Sequence, residues 1–332
     1  MYFYFVETNT GSPASFSLKI PAWLKYGLAI IPIAWIFWHI NVHELVASAK
    51  KVAPWSIPVY TVIVLFSMAL QGLRWWMLAR AFIPGLSFSR VMSCHFAGLF
   101  YSIILPGNAG QDVVRALLMS KGNDYSIVWG STWVARILGL FALAMLSIYG
   151  LFSLQKSSLP PGFFTSELSA FAILALLFFA SFSKRLTSPG RVALKKIIPA
   201  RFFAVLENIR EAVYKYRNRK AAVANVALVS LLMQLTLVAA ACLAIKGITG
   251  KLLVAECLAY IPLIELLCIA LPLTPNGLGI REALLGVMFL HIGLSTEQLG
   301  IYILFGFYSI SLKLTGGIPV LLGLTSKPPP SK

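Results

Sequence analysis

Acidic side chains are scarce in this chain: 11 Asp and Glu stand against 28 Lys and Arg in 332 residues. Charge of either sign makes up only 12% of the sequence. That excludes an ordinary soluble domain, in which about a quarter of residues are charged. Cysteine is rarer still. Cys94, Cys242, Cys257 and Cys268 lie in apolar stretches and form no CxxC pair, so neither a disulfide framework nor a cysteine metal site is implied. They read as buried, inert thiols. Catalytic signatures are missing too: there is no HExxH, nucleophile elbow, Walker loop or workable GxGxxG. His39 and His43 stand four residues apart beside Glu44, but no third ligand lies near, and no metal site is expected. The chain is expected not to be an enzyme and to carry no cofactor.

Apolar residues are abundant: 58% of the chain, with a mean hydropathy of +0.82. Runs such as "YGLAIIPIAWIFW", "LSAFAILALLFFASF" and "AAVANVALVSLLMQLTLVAAACLAI" approach or reach the ~20 residues that cross a bilayer. They are continuous rather than alternating, which excludes a barrel. The fold class is therefore an all-α polytopic membrane protein. Spans are expected near 22–40, 55–79, 127–152, 168–183, 221–246 and 299–324. Regions 91–120 and 252–294 are interrupted, which brings the total to about eight membrane segments.

The net charge of +17 gathers between these spans, as cytoplasmic loops facing anionic lipid require. No nucleic-acid pattern accompanies it, and no nucleic-acid partner is expected. Eleven basic residues fall in 184–220 against Glu207 and Glu211, which places that loop in the cytoplasm. Four full spans before it place the N-terminus on the same side, with Arg80 and Arg90 in agreement and Lys50 and Lys51 against. "VASAK" at 46–50 faintly resembles a signal-peptidase site, yet the run before it reads as a retained span. The expected organisation is an N-terminal cytoplasmic segment at 1–21 and a first membrane half at 22–183. The basic loop at 184–220, a second membrane half at 221–325 and a disordered tail at 326–332 follow. Within the loop, Phe202, Leu206, Ile209 and Val213 recur at helical spacing. This amphipathic helix either lies on the inner leaflet or packs on the protein's own cytoplasmic face.

Two stretches break the apolar pattern in the same way: "LPGNAGQDVVRALLM" and "LPLTPNGLGIREALL". Pro106 precedes Gly110 by four residues, and Pro275 precedes Gly279 by four. Gly107 and Gly277 lie between them. Proline removes a backbone donor and glycine loosens the helix, so polar backbone groups are freed at membrane depth. That is tolerated only inside protein or beside a polar cavity. Paired breaks, one per half, point to two pseudo-repeats with broken or re-entrant helices around a binding site. The helix N-terminus after each break offers free N–H groups to an anion such as phosphate.

Charged residues cluster beside these breaks: Asp112, Arg115, Arg136, Glu256, Glu265, Arg281, Glu282 and Lys313. Each is costly at membrane depth unless it pairs or lines a cavity. Asp112 and Arg115, three apart, share a helix face.

The two motifs, with "STWVARILGLFAL" between them, resemble the flippase-like membrane region of lysylphosphatidylglycerol synthases and its stand-alone relatives. The resemblance runs from about 20 to 325. It implies a helical bundle of two pseudo-repeats with re-entrant helices, associated with moving lipids between leaflets. It also implies that the Pro/Gly turns, Arg115, Arg281 and Glu282 belong to the functional motif. The synthases carry a further aminoacyl-transferase domain; this chain stops at 332, so that chemistry is not expected. The resemblance implies acidic residues directly before Arg136 and three after it. Here Ala135 and Gly139 stand instead, and Arg136 is expected to lack that ion pair.

The expected function is a lipid transporter in the cell (inner, cytoplasmic) membrane, moving an anionic or phosphate-bearing lipid between leaflets. Arg115 and Arg281 would attract the phosphate, joined in the headgroup site by Asp112, Arg136 and Glu282. Glu265 and Lys313 are candidates for coupling. Two other readings stay open: a non-transporting accessory protein for lipid or glycolipid synthesis, and a transferase acting on a polyprenyl carrier. Expected partners are membrane lipids, further copies of the chain, or a lipid-synthesis enzyme.

Overall fold

A computed structural model describes residues 42–103, 110–121, 123–154, 200–270 and 277–325, with a few helical positions between 165 and 172. All regular structure among the described residues is helical. In chain order the helices are α1 (Val42–Ala49), α2 (Ser56–Arg80), α3 (Phe88–Ser102), α4 (Gly110–Ser120) and α5 (Tyr125–Ser153). Then come α6 (Ala200–Lys215), α7 (Lys220–Thr249), α8 (Val254–Ala270), α9 (Ile280–His291), α10 (Thr296–Leu312) and α11 (Gly317–Leu321). A 3₁₀ turn, Lys313–Gly316, joins the last two.

Four segments are long and apolar enough to cross a bilayer: Ser56–Arg80, Tyr125–Ser153, Lys220–Thr249 and Thr296–Leu321. They match four of the expected spans to within a few residues. The span expected at 22–40 lies outside the described residues, as does most of that at 168–183. Large apolar side chains such as Phe152, Leu228 and Leu321 face outward from these helices, as a lipid-facing surface requires.

Local signals set the helix ends. Asp124 accepts the Ser126 and Ile127 N–H groups at 2.8 and 3.3 Å to start α5. Ser295 and Gln298 form a reciprocal capping box at the start of α10. Gly250, at φ +75°, ends α7 in the left-handed conformation that glycine adopts without a Cβ clash.

Helices in lipid gain little from apolar burial against one another, so close backbone approach must hold the bundle. α8 runs along α5, where a Cβ on Gly150 would collide with the Leu258–Ala259 backbone. The Ser147 hydroxyl donates to the Ala259 carbonyl at 3.0 Å beside that contact. Pro262 in α8 supplies no N–H, which leaves the Leu258 carbonyl without its usual helical donor. α7 packs along α2, with Gly247 against Ser56.

α6 lies against α5. Val213 and the following Tyr216 are buried with Leu78, Val134 and Val226. The Tyr216 hydroxyl donates to the Leu78 carbonyl at 2.8 Å, and burial pushes its phenol above the usual range. The C-terminal half of this amphipathic helix therefore docks on the protein itself. That favours the second of the two readings drawn from its periodicity.

Two helix pairs are short over their described residues. α3 and α4, of 15 and 11 residues, pack on each other, as do α8 and α9, of 17 and 12. At 1.5 Å per residue even the longest reaches about 25 Å, short of a ~30 Å hydrocarbon core. Each pair brackets one of the Pro/Gly stretches. Pro106 and Gly107 lie outside the described residues, as does Pro275. Gly98 lets α3 approach α4, since a Cβ there would come within 2.9 Å of the Gln111 carbonyl oxygen.

Candidate functional site

The two short-helix pairs and the long helices enclose a cavity of about 340 Å³. Seven of the eight charged residues picked out by the sequence line it: Asp112, Arg115, Arg136, Glu265, Arg281, Glu282 and Lys313. Glu256 does not. Arg74 does, although nothing in the sequence singled it out.

One group of charges is built on α4. Asp112, in its first turn, places Oδ1 2.7 Å from Arg115 Nη2 and Oδ2 2.6 Å from Arg136 Nη1 of α5. The i,i+3 spacing thus makes the Asp112–Arg115 pair that the sequence led us to expect. Arg136 corrects an expectation. The acidic neighbours missing at Ala135 and Gly139 are replaced by a carboxylate from another helix. Asp112 serves two guanidinium groups, one on its own helix and one across the bundle.

Arg115 is 2% exposed and held from three sides. Besides Asp112, its Nη1 lies 3.4 Å from His95 Nδ1, and its guanidinium stacks 4.8 Å from the Trp75 ring. His95 Nε2 lies 3.0 Å from the Met68 carbonyl oxygen, which can only accept. That contact places the imidazole proton on Nε2 and leaves Nδ1 to accept from Arg115. These contacts fix Arg115 in one orientation.

The second group is more local. Glu282 Oε1 accepts from Arg281 Nε and Nη2 at 3.3 and 3.2 Å, and its other oxygen accepts the Gly279 N–H. Gly279 takes φ +84°, which glycine supplies without strain. The helix N-terminus expected to offer N–H groups to a phosphate is therefore capped by a carboxylate of its own first turn. Glu265 and Lys313 complete the charged lining on this side, with Arg281 and Glu265 both acting electrostatically on Lys313.

Sequence reasoning missed Arg74, His95, Gln71, Gln111 and Gln234. Arg74 sits in "LQGLRWWMLAR", where a basic residue near a span end reads as an interfacial anchor. Its burial, at 7% exposure, gives it a different role. The amides are short-range and uncharged, and nothing in their spacing marks them. Gln111 Nε2 reaches Gln71 Oε1 at 3.3 Å, and Gln234 Nε2 donates to the Gly139 carbonyl at 3.0 Å.

No curated protein and no solved structure matches the chain. The family model described as the lysylphosphatidylglycerol synthase TM region matches residues 22–310, which include both short-helix pairs and all the charged residues named above except Lys313. The chain belongs to that family of integral membrane proteins, related to lipid modification.

Proposed function

We propose that the protein is a flippase-like lipid transporter, moving an anionic or phosphate-bearing lipid between leaflets through this cavity. One observation carries the reading. A cavity of about 340 Å³, within the ~300–1,000 Å³ range of ligand sites, is lined by five basic and three acidic side chains inside an otherwise apolar bundle. Packing alone gives no reason to hold so many charges at membrane depth. An excess of cations suits an anionic headgroup, while the outward apolar surface leaves the acyl chains in lipid.

In this reading the two short-helix pairs are re-entrant units of two pseudo-repeats, within about eight membrane segments. The N-terminus, the segment at 184–220 and the C-terminus are cytoplasmic, and the membrane is the cell membrane. Helix-end N–H groups play a smaller part than side chains, because Glu282 already occupies the second N-terminus.

Reconstitution into vesicles with a headgroup-labelled phosphatidylglycerol tests the proposal. Protein-containing vesicles should expose inner-leaflet label to an external quencher faster than empty ones, and faster than they expose a labelled uncharged lipid. Equal quenching with and without protein would reject transport.

A further inference from the structure

We infer that Arg74, rather than Arg115 or Arg281, is the anchor of an oxyanion subsite in this cavity, one that takes a phosphate group. The argument begins with the supply of partners. Three guanidinium groups, Arg74, Arg115 and Arg136, line the α4 side of the cavity, and Asp112 is the carboxylate that lines it with them. One of its oxygens goes to Arg115 and the other to Arg136. Among the described residues Arg74 has no carboxylate within ion-pair distance. Its Nε is buried without a hydrogen-bond partner, and Nη1 makes one long bond of 3.4 Å to Ser230 Oγ. Ser230 meanwhile gives its own proton to the Val226 carbonyl at 2.7 Å, so it offers Arg74 a neutral oxygen only.

A cation nine-tenths buried with such partners is costly unless something else compensates it. Here the deficit has a location. The α4 group carries three positive charges to one negative, whereas Arg281 and Lys313 on the other side face Glu265 and Glu282. The missing negative charge belongs beside Arg74. A guanidinium presents a planar fork that matches the paired oxygens of a phosphate, and Arg115 and Arg136 lie on the same cavity wall to share a second charge.

The position of Arg74 is also built. Gly139 of α5 lies directly against Nη1, and a Cβ there would occupy the guanidinium's space. Gln234 holds that stretch of backbone by donating to the Gly139 carbonyl. Any side chain at 139 would push the fork out of place.

The lipid form of the ligand rests on the transport reading above; the oxyanion site itself does not. The test titrates the purified full-length protein in detergent with two probes, inorganic phosphate and dihexanoylphosphatidylglycerol, by calorimetry. Wild type should bind at least one of them. Arg74→Gln and Gly139→Ala should each bind about tenfold or more weakly, the loss expected for a charged hydrogen bond. Arg74→Lys should retain part of the affinity. Lys246→Gln, outside the cavity, should bind as wild type does. Without ligand, Arg74→Gln should melt no lower than wild type, because it removes an uncompensated charge.

Binding of the lipid alone, or of both probes, weakened in the variants, assigns the subsite a lipid phosphate. Binding of phosphate alone, lost in the variants, keeps the Arg74 site and removes the headgroup reading. Should Arg74→Gln fail to fold, Arg74→Lys and Gly139→Ala carry the same comparison. Lipid binding undiminished by these changes would overturn the inference and leave the headgroup reading standing. Failure of wild type to bind either probe would overturn both.

Discussion

The two short-helix pairs follow similar sequence stretches but manage charge differently. In the first, a short carboxylate in the opening turn of α4 reaches outward: Asp112 joins its own helix to α5 through Arg115 and Arg136. In the second, the longer Glu282 folds back onto Gly279 N–H and the adjacent Arg281. The first arrangement spends its single carboxylate on two cations and leaves Arg74 over. The second closes on itself and leaves the cavity side balanced. One methylene and the position of one arginine, three residues on or directly before, separate an open electrostatic site from a self-contained helix cap.

The contrast is sharpest when the shared carboxylate is removed. Asp112→Asn leaves three cavity-lining guanidinium groups without an anion, and should lower stability by about 5 kcal/mol, the upper end of what breaking a buried pair costs. Thermal melting in detergent checks it; a loss near zero would mean that water or lipid already screens the cluster. Arg115→Ala should cost less, about 3 kcal/mol, because Asp112 keeps Arg136. Arg115→Lys should fall between that variant and wild type, since it keeps the charge but loses the stacked fork.

On the other side the same substitution should be milder. Arg281→Ala leaves Glu282 with its backbone partner, and about 1–2 kcal/mol is expected. A loss as large as that of Arg115→Ala would erase the distinction between the two pairs. Gly279→Ala should have the smallest effect, about 1 kcal/mol for forcing an alanine to positive φ. Its measurement is the same melting curve, read against Gly293→Ala, which strains another positive-φ glycine away from the cavity lining.

Much of this was legible in the sequence. Length and hydropathy located the four long spans among the described residues, because a bilayer imposes a minimum apolar run. Helical spacing gave the Asp112–Arg115 pair. Gly279 marked the start of α9, because a positive φ before a helix suits glycine. What could not be read is long-range. Arg136 finds a partner 24 residues upstream, and Arg74 owes its isolation to how one carboxylate is shared between two other helices. His95 and Gln234 act through tertiary contacts alone. A spacing rule covers residues on one helix; it says nothing about which helices meet.

The most direct measurement is a structure of the protein in nanodiscs containing phosphatidylglycerol. The account predicts headgroup density in the cavity, with phosphate oxygens within hydrogen-bond range of Arg74 and with Asp112 still bridging Arg115 and Arg136. A headgroup seated on Arg281 while Arg74 contacts only protein and water would contradict it, as would a lipid-free cavity.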